Sequence, residues 1–314
     1  MVAHNARLAL LNRYGTLVAL LVIIAGFSAA SPGVFPSLAN FLAISQQMAL
    51  LAIIAVGATF VMIITEFDLA ISAVASFAGI LVVTLLHQAV PLPLALGLTL
   101  LAAAGVGTAS GFLVAWFRVP SFIATLAIST IVSGLTFWIS GGATLFGHLP
   151  ASFLALSRGA PGGLPALSLW MAGLGLVAAW AAAQTEWGRR LYAIGGNREA
   201  AALAGVAVAR DSLSAFIASA LFAAICGILL AARLGSAHPT AGDGFLLEAY
   251  AAIFLGTTAF KEGEPNIFGT LLGAAIIAVL ANGLTILNVP SYMQDILTGA
   301  IIIISVLLRA LRQR

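Results

Sequence analysis

Residues 49–71 read Ala49-Leu50-Leu51-Ala52-Ile53-Ile54-Ala55-Val56-Gly57-Ala58-Thr59-Phe60-Val61-Met62-Ile63-Ile64-Thr65-Glu66-Phe67-Asp68-Leu69-Ala70-Ile71. An unbroken apolar run meets two carboxylates and then resumes. A soluble strand would alternate, and a soluble helix would show a polar face. This stretch does neither, so it reads as a membrane span, a break at Glu66–Asp68, and a second span. The composition of the whole chain agrees. Of 314 residues, 62% are hydrophobic and 7% charged, with mean hydropathy +1.13. Soluble domains carry about 25% charged residues, so this chain lacks the charge to cover a folded surface in water. The same figures exclude a disordered chain.

Only helices and closed barrels satisfy their backbone groups inside lipid. The apolar runs are continuous, where barrel strands would alternate, so the expected class is all-α: a polytopic transmembrane helical bundle. Taking about 17–25 apolar residues per span, ten spans are expected. They are 14–31, 40–64, 69–88, 92–116, 121–140, 165–184, 212–232, 245–260, 266–287 and 291–309. Residues 1–314 then form a single membrane domain. The first run follows Arg7 and Arg13 and precedes Ser28-Ala29-Ala30, but it is longer than a signal-peptide core and reads as an uncleaved helix.

Ten spans put both termini on one side, and the basic residues say which. With the N-terminus inside, the inner set is Arg7, Arg13, Arg118, Arg189, Arg190, Arg198, Arg210, Lys261, Arg309, Arg312 and Arg314. The outer set is Arg158 and Arg233. Positive charge collects on the cytoplasmic side, so both termini are expected there. The excess of positive charge marks topology and contact with anionic lipid, not nucleic acid.

Much chemistry is excluded. The single lysine, Lys261, precedes Glu262, so no GxxxxGK[ST] phosphate loop exists and the chain is not expected to hydrolyse ATP. The single cysteine, Cys226, allows no internal disulfide. His4, His87, His148 and His238 are scattered, so no metal or other cofactor is expected. No GxSxG elbow or paired catalytic residues support an enzyme. Glu66, Asp68, Arg233, Glu248 and Asp295 all fall near span ends or breaks. A charge at the bilayer centre costs about 2.5–3.5 kcal/mol on insertion scales. The interior is thus nearly uncharged, which suits a neutral or zwitterionic solute and a motor outside the membrane.

The longest charged stretch is the inner loop, 185–211. Asn197 can cap a short helix, Glu199 sits in its first turn where the dipole favours an acid, and Gly205 can end it in the left-handed conformation. Ala200 and Ala201 let a partner surface approach closely. Gly107/Gly111 and Gly269/Gly273 are small-xxx-small pairs suited to close helix packing.

Residues 185–205 resemble the coupling loop of permease subunits of ribose/monosaccharide-type ATP-binding-cassette importers. Thr185, Gly188, Arg189, Tyr192, Ala193, Ile194, Gly195, Asn197, Ala200, Ala201, Ala204 and Gly205 match the family pattern. Glu66-Phe67-Asp68-Leu69-Ala70-Ile71-Ser72 is similar to the family's Gly-x-Asp-Leu-Ser-Val-Gly break, with Glu66 in place of the glycine and Ala70 in place of the serine. Pro120-Ser121-Phe122-Ile123-Ala124-Thr125-Leu126 and Gly269-Thr270-Leu271-Leu272-Gly273-Ala274 resemble two further family segments. Lys261-Glu262-Gly263-Glu264-Pro265-Asn266 departs from the family's glycine-rich turn and points to a divergent branch.

The resemblance implies three partners besides membrane lipid: a cytoplasmic ATP-binding-cassette ATPase subunit, a second permease subunit (identical or not), and a periplasmic or extracellular solute-binding protein. It makes Gly188, Arg189, Asn197, Glu199, Ala200, Ala201 and Gly205 the expected coupling residues, and Glu66, Asp68 and Pro120 the expected gate or helix break. Arg189, Arg190 and Arg198 are expected either to pair with the ATPase surface or to anchor the loop to anionic lipid. A monosaccharide is the expected solute. A branched-chain amino acid, a nucleoside or an autoinducer-like sugar is the alternative, and an ion-driven carrier the reading from outside this class.

Overall fold

The computed structural model describes residues 2–257, 263–290, 292, 293, 296, 297, 299, 300 and 303, with side chains from residue 15 onward. Most of the expected span 291–309 lies outside these residues. So do residues 258–260 of the expected span 245–260, and Lys261, Glu262, Asp295, Arg309, Arg312 and Arg314.

The described residues form α1 (Val2–Ala30), α2 (Leu38–Ile63), α3 (Ile71–His87), α4 (Leu92–Ala115) and α5 (Ser121–Ser140). They continue through β1 (Leu145–Phe146), α6 (Ala151–Arg158), α7 (Ala166–Gln184), α8 (Glu186–Gly196), α9 (Arg198–Leu203) and α10 (Val208–Leu234). They end with β2 (Ser236–Ala237), α11 (Phe245–Gly256) and α12 (Ile267–Ile286). The protein is all-α and polytopic, and among the described residues the only sheet is the antiparallel pair Leu145↔Ala237, Phe146↔Ser236. By length and apolarity six helices can cross a membrane: α2, α4, α5, α7, α10 and α12. Apolar helices of 10–17 residues occupy Gly15–Ala30, Ile71–His87 and Phe245–Gly256.

Helix α2 is the axis of the bundle. In its spanning window 83% of residues are buried, against 22% for α5. That contrast follows from sequence. Ala49, Ala52, Ala55, Gly57 and Ala58 leave α2 thin enough for α7, α10, α11 and α12 to pack round it. Phe122, Ile123, Leu126, Ile131 and Trp138 on α5 stay exposed, as a lipid-facing surface requires. Two hydroxyl pairs tie α2 to its neighbours. Thr59 donates to the Ala55 carbonyl and shares a 2.8 Å hydroxyl contact with Thr270 of α12, and Ser45 meets Ser168 of α7 in the same way.

The glycine pairs pack helices within this chain. A side chain at Gly107 would meet the backbone of Phe216, and one at Gly111 would meet Leu213, both on α10. Gly273 faces the Ala252 carbonyl of α11, and Gly269 faces Gly256.

One expectation is extended. The segment 185–211, read as a loop with a short helix at Asn197, holds that helix as α9 and a further helix, α8, capped by Thr185, and α10 begins at Val208, four residues before the expected span. Residues 141–164 hold β1 and α6. Helix α3 starts at Ile71, and the Asp68 carboxylate accepts from Ala70 N–H two residues on.

Candidate functional site

The site is built from α8, α9 and the α2–α3 break, which meet at one end of the bundle. Helix α8 is amphipathic. Thr185 Oγ1 accepts from Gly188 N–H at 3.1 Å and caps it. The chain turns so sharply between α7 and α8 that a Cβ at Gly188 would collide with the Ala181 and Ala182 carbonyls. Leu191 and Ile194 bury against Val56, Phe60, Ile63 and Ile64 of α2. Trp187 packs at a tilt of 47° on Phe60 with ring centroids 4.9 Å apart and donates to Ser214 Oγ of α10 at 2.6 Å. Arg190 Nε donates to Asp211 Oδ2 at 2.9 Å, and Tyr192 Oη to the Pro265 carbonyl at 3.0 Å. Burial, and after it the Glu264 carboxylate, push the Tyr192 phenol up to about 12, so it stays a donor at neutral pH. The backbone of α8 presses so closely on the Ile63 carbonyl that only glycine fits at 195. Helix α8 is thus fixed to α2, α10 and the start of α12.

Helix α9 is fixed at its start and, through Ala201, along one side. Asn197, in extended conformation, ends α8 and caps α9, its Oδ1 accepting from Ala200 N–H at 2.9 Å. Such a cap is worth about 1 kcal/mol. Glu199 lies in the first turn. Ala201 is buried against the bundle, whereas Glu199, Ala200, Ala202, Ala204 and Gly205 are exposed. Leu203 is 92% exposed. Gly205 follows at φ +84°, where any L side chain is strained, and turns the chain towards α10. The sequence reading missed Leu203. Its signal was available: a lone large apolar residue two positions from buried Ala201 on a short helix must face away from the core.

The break is ordered throughout. Thr65 N–H donates to the Met62 carbonyl and Glu66 N–H to the Val61 carbonyl. Phe67 N–H donates to Ser121 Oγ at 3.1 Å, Asp68 N–H to Tyr250 Oη at 2.7 Å, Leu69 N–H to Thr125 Oγ1 at 3.0 Å, and Ala70 N–H to Asp68 Oδ1 at 3.0 Å. Tyr250 in turn donates to the Asp68 carbonyl at 3.0 Å. Six consecutive amides leave the helical ladder and every one finds a partner, which membrane depth demands. Pro120 sets this up. It precedes α5, and its carbonyl receives Ile123 and Ala124 N–H, which places Ser121 and Thr125 against the break.

The break and α9 are joined. Arg198 Nη1 donates to Glu66 Oε1 at 3.1 Å, beside a cleft of about 520 Å³ that Arg118, Pro120 and Glu199 also line. The inner arginines are therefore not all turned outward as expected. Arg190 is engaged by Asp211 and Glu186, and Arg198 by Glu66, because carboxylates of the same chain lie within reach. Arg189 is exposed and donates to the Gln184 carbonyl at 3.3 Å. Among the described residues no cluster of His, Cys, Asp and Glu could hold a metal ion.

A bundle of helices long and apolar enough to cross a membrane, with a small exposed helix at one end, defines a polytopic membrane protein. Residues 40–306 match the family "Branched-chain amino acid transport system / permease component". The chain is 37% identical over 296 residues to the ribose import permease protein of Escherichia coli (strain K12), covering 93% of this chain and 92% of that protein. It is 35% identical over 300 residues to the ribose import permease protein of Bacillus subtilis (strain 168), covering 95% and 92%. Against the D-allose transport system permease protein of E. coli (strain K12) it is 32% identical over 298 residues, covering 95% and 91%. No solved structure matches. The chain belongs to this family of membrane permease components of ATP-binding-cassette importers.

Proposed function

We propose that this chain is the permease subunit of an importer that carries a monosaccharide across the bacterial cytoplasmic membrane. It works with a cytoplasmic ATP-binding-cassette ATPase, a solute-binding protein on the outer side, and a second permease subunit, either another copy or a relative. Residues 1–314 act as one permease domain with ten spans and both termini in the cytoplasm. The segregation of 11 inner from 2 outer basic residues supports that topology.

The observation that carries the reading is α9. A capped helix whose exposed face is Glu199, Ala200 and Leu203 suits insertion into a cleft of an ATPase subunit. The α8 lever passes its displacement to α2, α10 and α12. Coupling requires contacts that differ between two states and a rigid element to carry the difference. The sugar assignment is supported by relatives whose names specify ribose and allose import.

Proteoliposomes with the chain, its ATPase and its binding protein test this. ATP-dependent uptake of labelled ribose, competed by allose and not by leucine, is the expected result. Competition by leucine alone would move the solute to the amino-acid class. Accumulation by the chain alone under an ion gradient would refute an external motor.

A further inference from the structure

We propose that the Glu66–Arg198 pair is the link that passes motion from α9 to the α2–α3 break, a positioning pair for solute release. The proposal rests on α9 being the element the ATPase grips.

Three observations converge. First, Arg198 is the first residue of α9, next to the Asn197 cap, so any tilt of α9 moves its guanidinium. Second, Glu66 is not merely near the break but inside it: its N–H makes the last bond to the α2 backbone, and the next amide already belongs to Ser121 of α5. Third, the pair is half-open, with side-chain exposures of 40% and 21%, beside a cleft of about 520 Å³ that leaves both groups room to move. A buried pair would lock the two elements, and a fully exposed one would transmit nothing.

The second grip on the same turn lies three residues earlier, where Gly195 of α8 bears on the Ile63 carbonyl. That contact is steric and fixes a pivot. Glu66–Arg198 acts on the far side of the pivot. Thr65 lies between them at φ +61°, a conformation a β-branched residue adopts only where its surroundings impose it. Pulling Glu66 away from the pivot therefore bears on a backbone that already stores strain. The next residues, Phe67, Asp68 and Leu69, are held by Ser121, Tyr250 and Thr125 respectively, so the displacement reaches α5 and α11 together.

The test uses the reconstituted complex of this chain with its ATPase and binding protein. Solute transported and ATP hydrolysed are measured together for Glu66→Gln, Arg198→Gln and the exchanged pair Glu66→Arg/Arg198→Glu. Each single variant is expected to lower the solute moved per ATP about twofold to fivefold, the factor a half-exposed ion pair commands. The exchanged pair is expected to restore the ratio to within about twofold of the parent. Equal ratios in all variants overturn the proposal. So does failure of the exchanged pair to restore it. A purely structural role would lower transport and hydrolysis in parallel with the ratio unchanged, and that outcome also overturns it. Ala200→Glu, run alongside, tests the underlying reading: if it leaves transport and stimulated hydrolysis intact, α9 is not the gripped element, whatever the Glu66 variants do.

Discussion

Helices α8 and α9 are adjacent in sequence, share Asn197 as hinge, and lie at the same end of the bundle, yet they are built oppositely. Helix α8 spends its side chains inward: Trp187 on Phe60 and Ser214, Arg190 on Asp211, Tyr192 on Pro265, Gly195 on Ile63. Helix α9 buries only Ala201 and presents Glu199, Ala200 and Leu203 outward. One is fastened to α2, α10 and the turn before α12, and the other is, under the proposed function, the handle that a partner grips. A helix of six residues has no stability of its own. Its order comes from the Asn197 cap, from Ala201 and from the Gly205 turn.

The difference is breakable. The largest effect belongs to the lever: Gly195→Val would drive a side chain into the Ile63 carbonyl, and the assembled complex should be lost on size-exclusion chromatography. A normally assembled Gly195→Val complex would mean that α8 is not fixed to α2. Next comes the handle. Ala200→Glu, or Gly205→Leu at its left-handed φ, should abolish uptake while membrane insertion stays normal, since neither side chain is part of the bundle core. Normal transport by both would end the division between lever and handle. Smaller again is Asn197→Ala, which removes a cap worth about 1 kcal/mol and should raise the ATPase concentration needed for half-maximal assembly about fivefold.

The smallest is Tyr192→Phe. The phenol is pushed above its ordinary value of 10 to about 12, so the folded chain holds a proton that the unfolded chain loses first. Its contribution to stability is present below pH 10 and fades as pH rises towards 12. Thermal melting in that alkaline window should fall more steeply for the parent than for Tyr192→Phe; identical slopes would detach Tyr192 from the lever.

The bundle was legible because lipid imposes a coarse rule. Residues 121–140 were expected as a span and α5 occupies those positions; the spans expected at 40–64, 92–116, 165–184, 212–232 and 266–287 correspond to helices long enough to cross, whereas those at 69–88 and 245–260 correspond to shorter apolar helices. The cap at Asn197 and the turn at Gly205 were legible for a different reason, being local chemistry of one side chain and one backbone angle. What escaped was long-range. Nothing in Thr125 or Tyr250 announces that each takes an amide from residues 67–70, since the partners lie 56 and 182 residues away. Helix α8 was not legible within 185–211, because its charged residues masked an amphipathic helix whose apolar face meets α2 only in the folded chain. Arg190 and Arg198 looked available to a partner for the same reason: their acids, Asp211 and Glu66, come close only in the folded chain.

The central claim is that α9 faces the cytosol and seats in the ATPase. A Leu203→Cys variant tests it directly, the native Cys226 being fully buried. A membrane-impermeant thiol reagent should label Cys-substituted position 203 in inside-out vesicles stripped of ATPase, and adding the ATPase back should block the labelling. Labelling from the outer face, or labelling indifferent to the ATPase, would contradict the account.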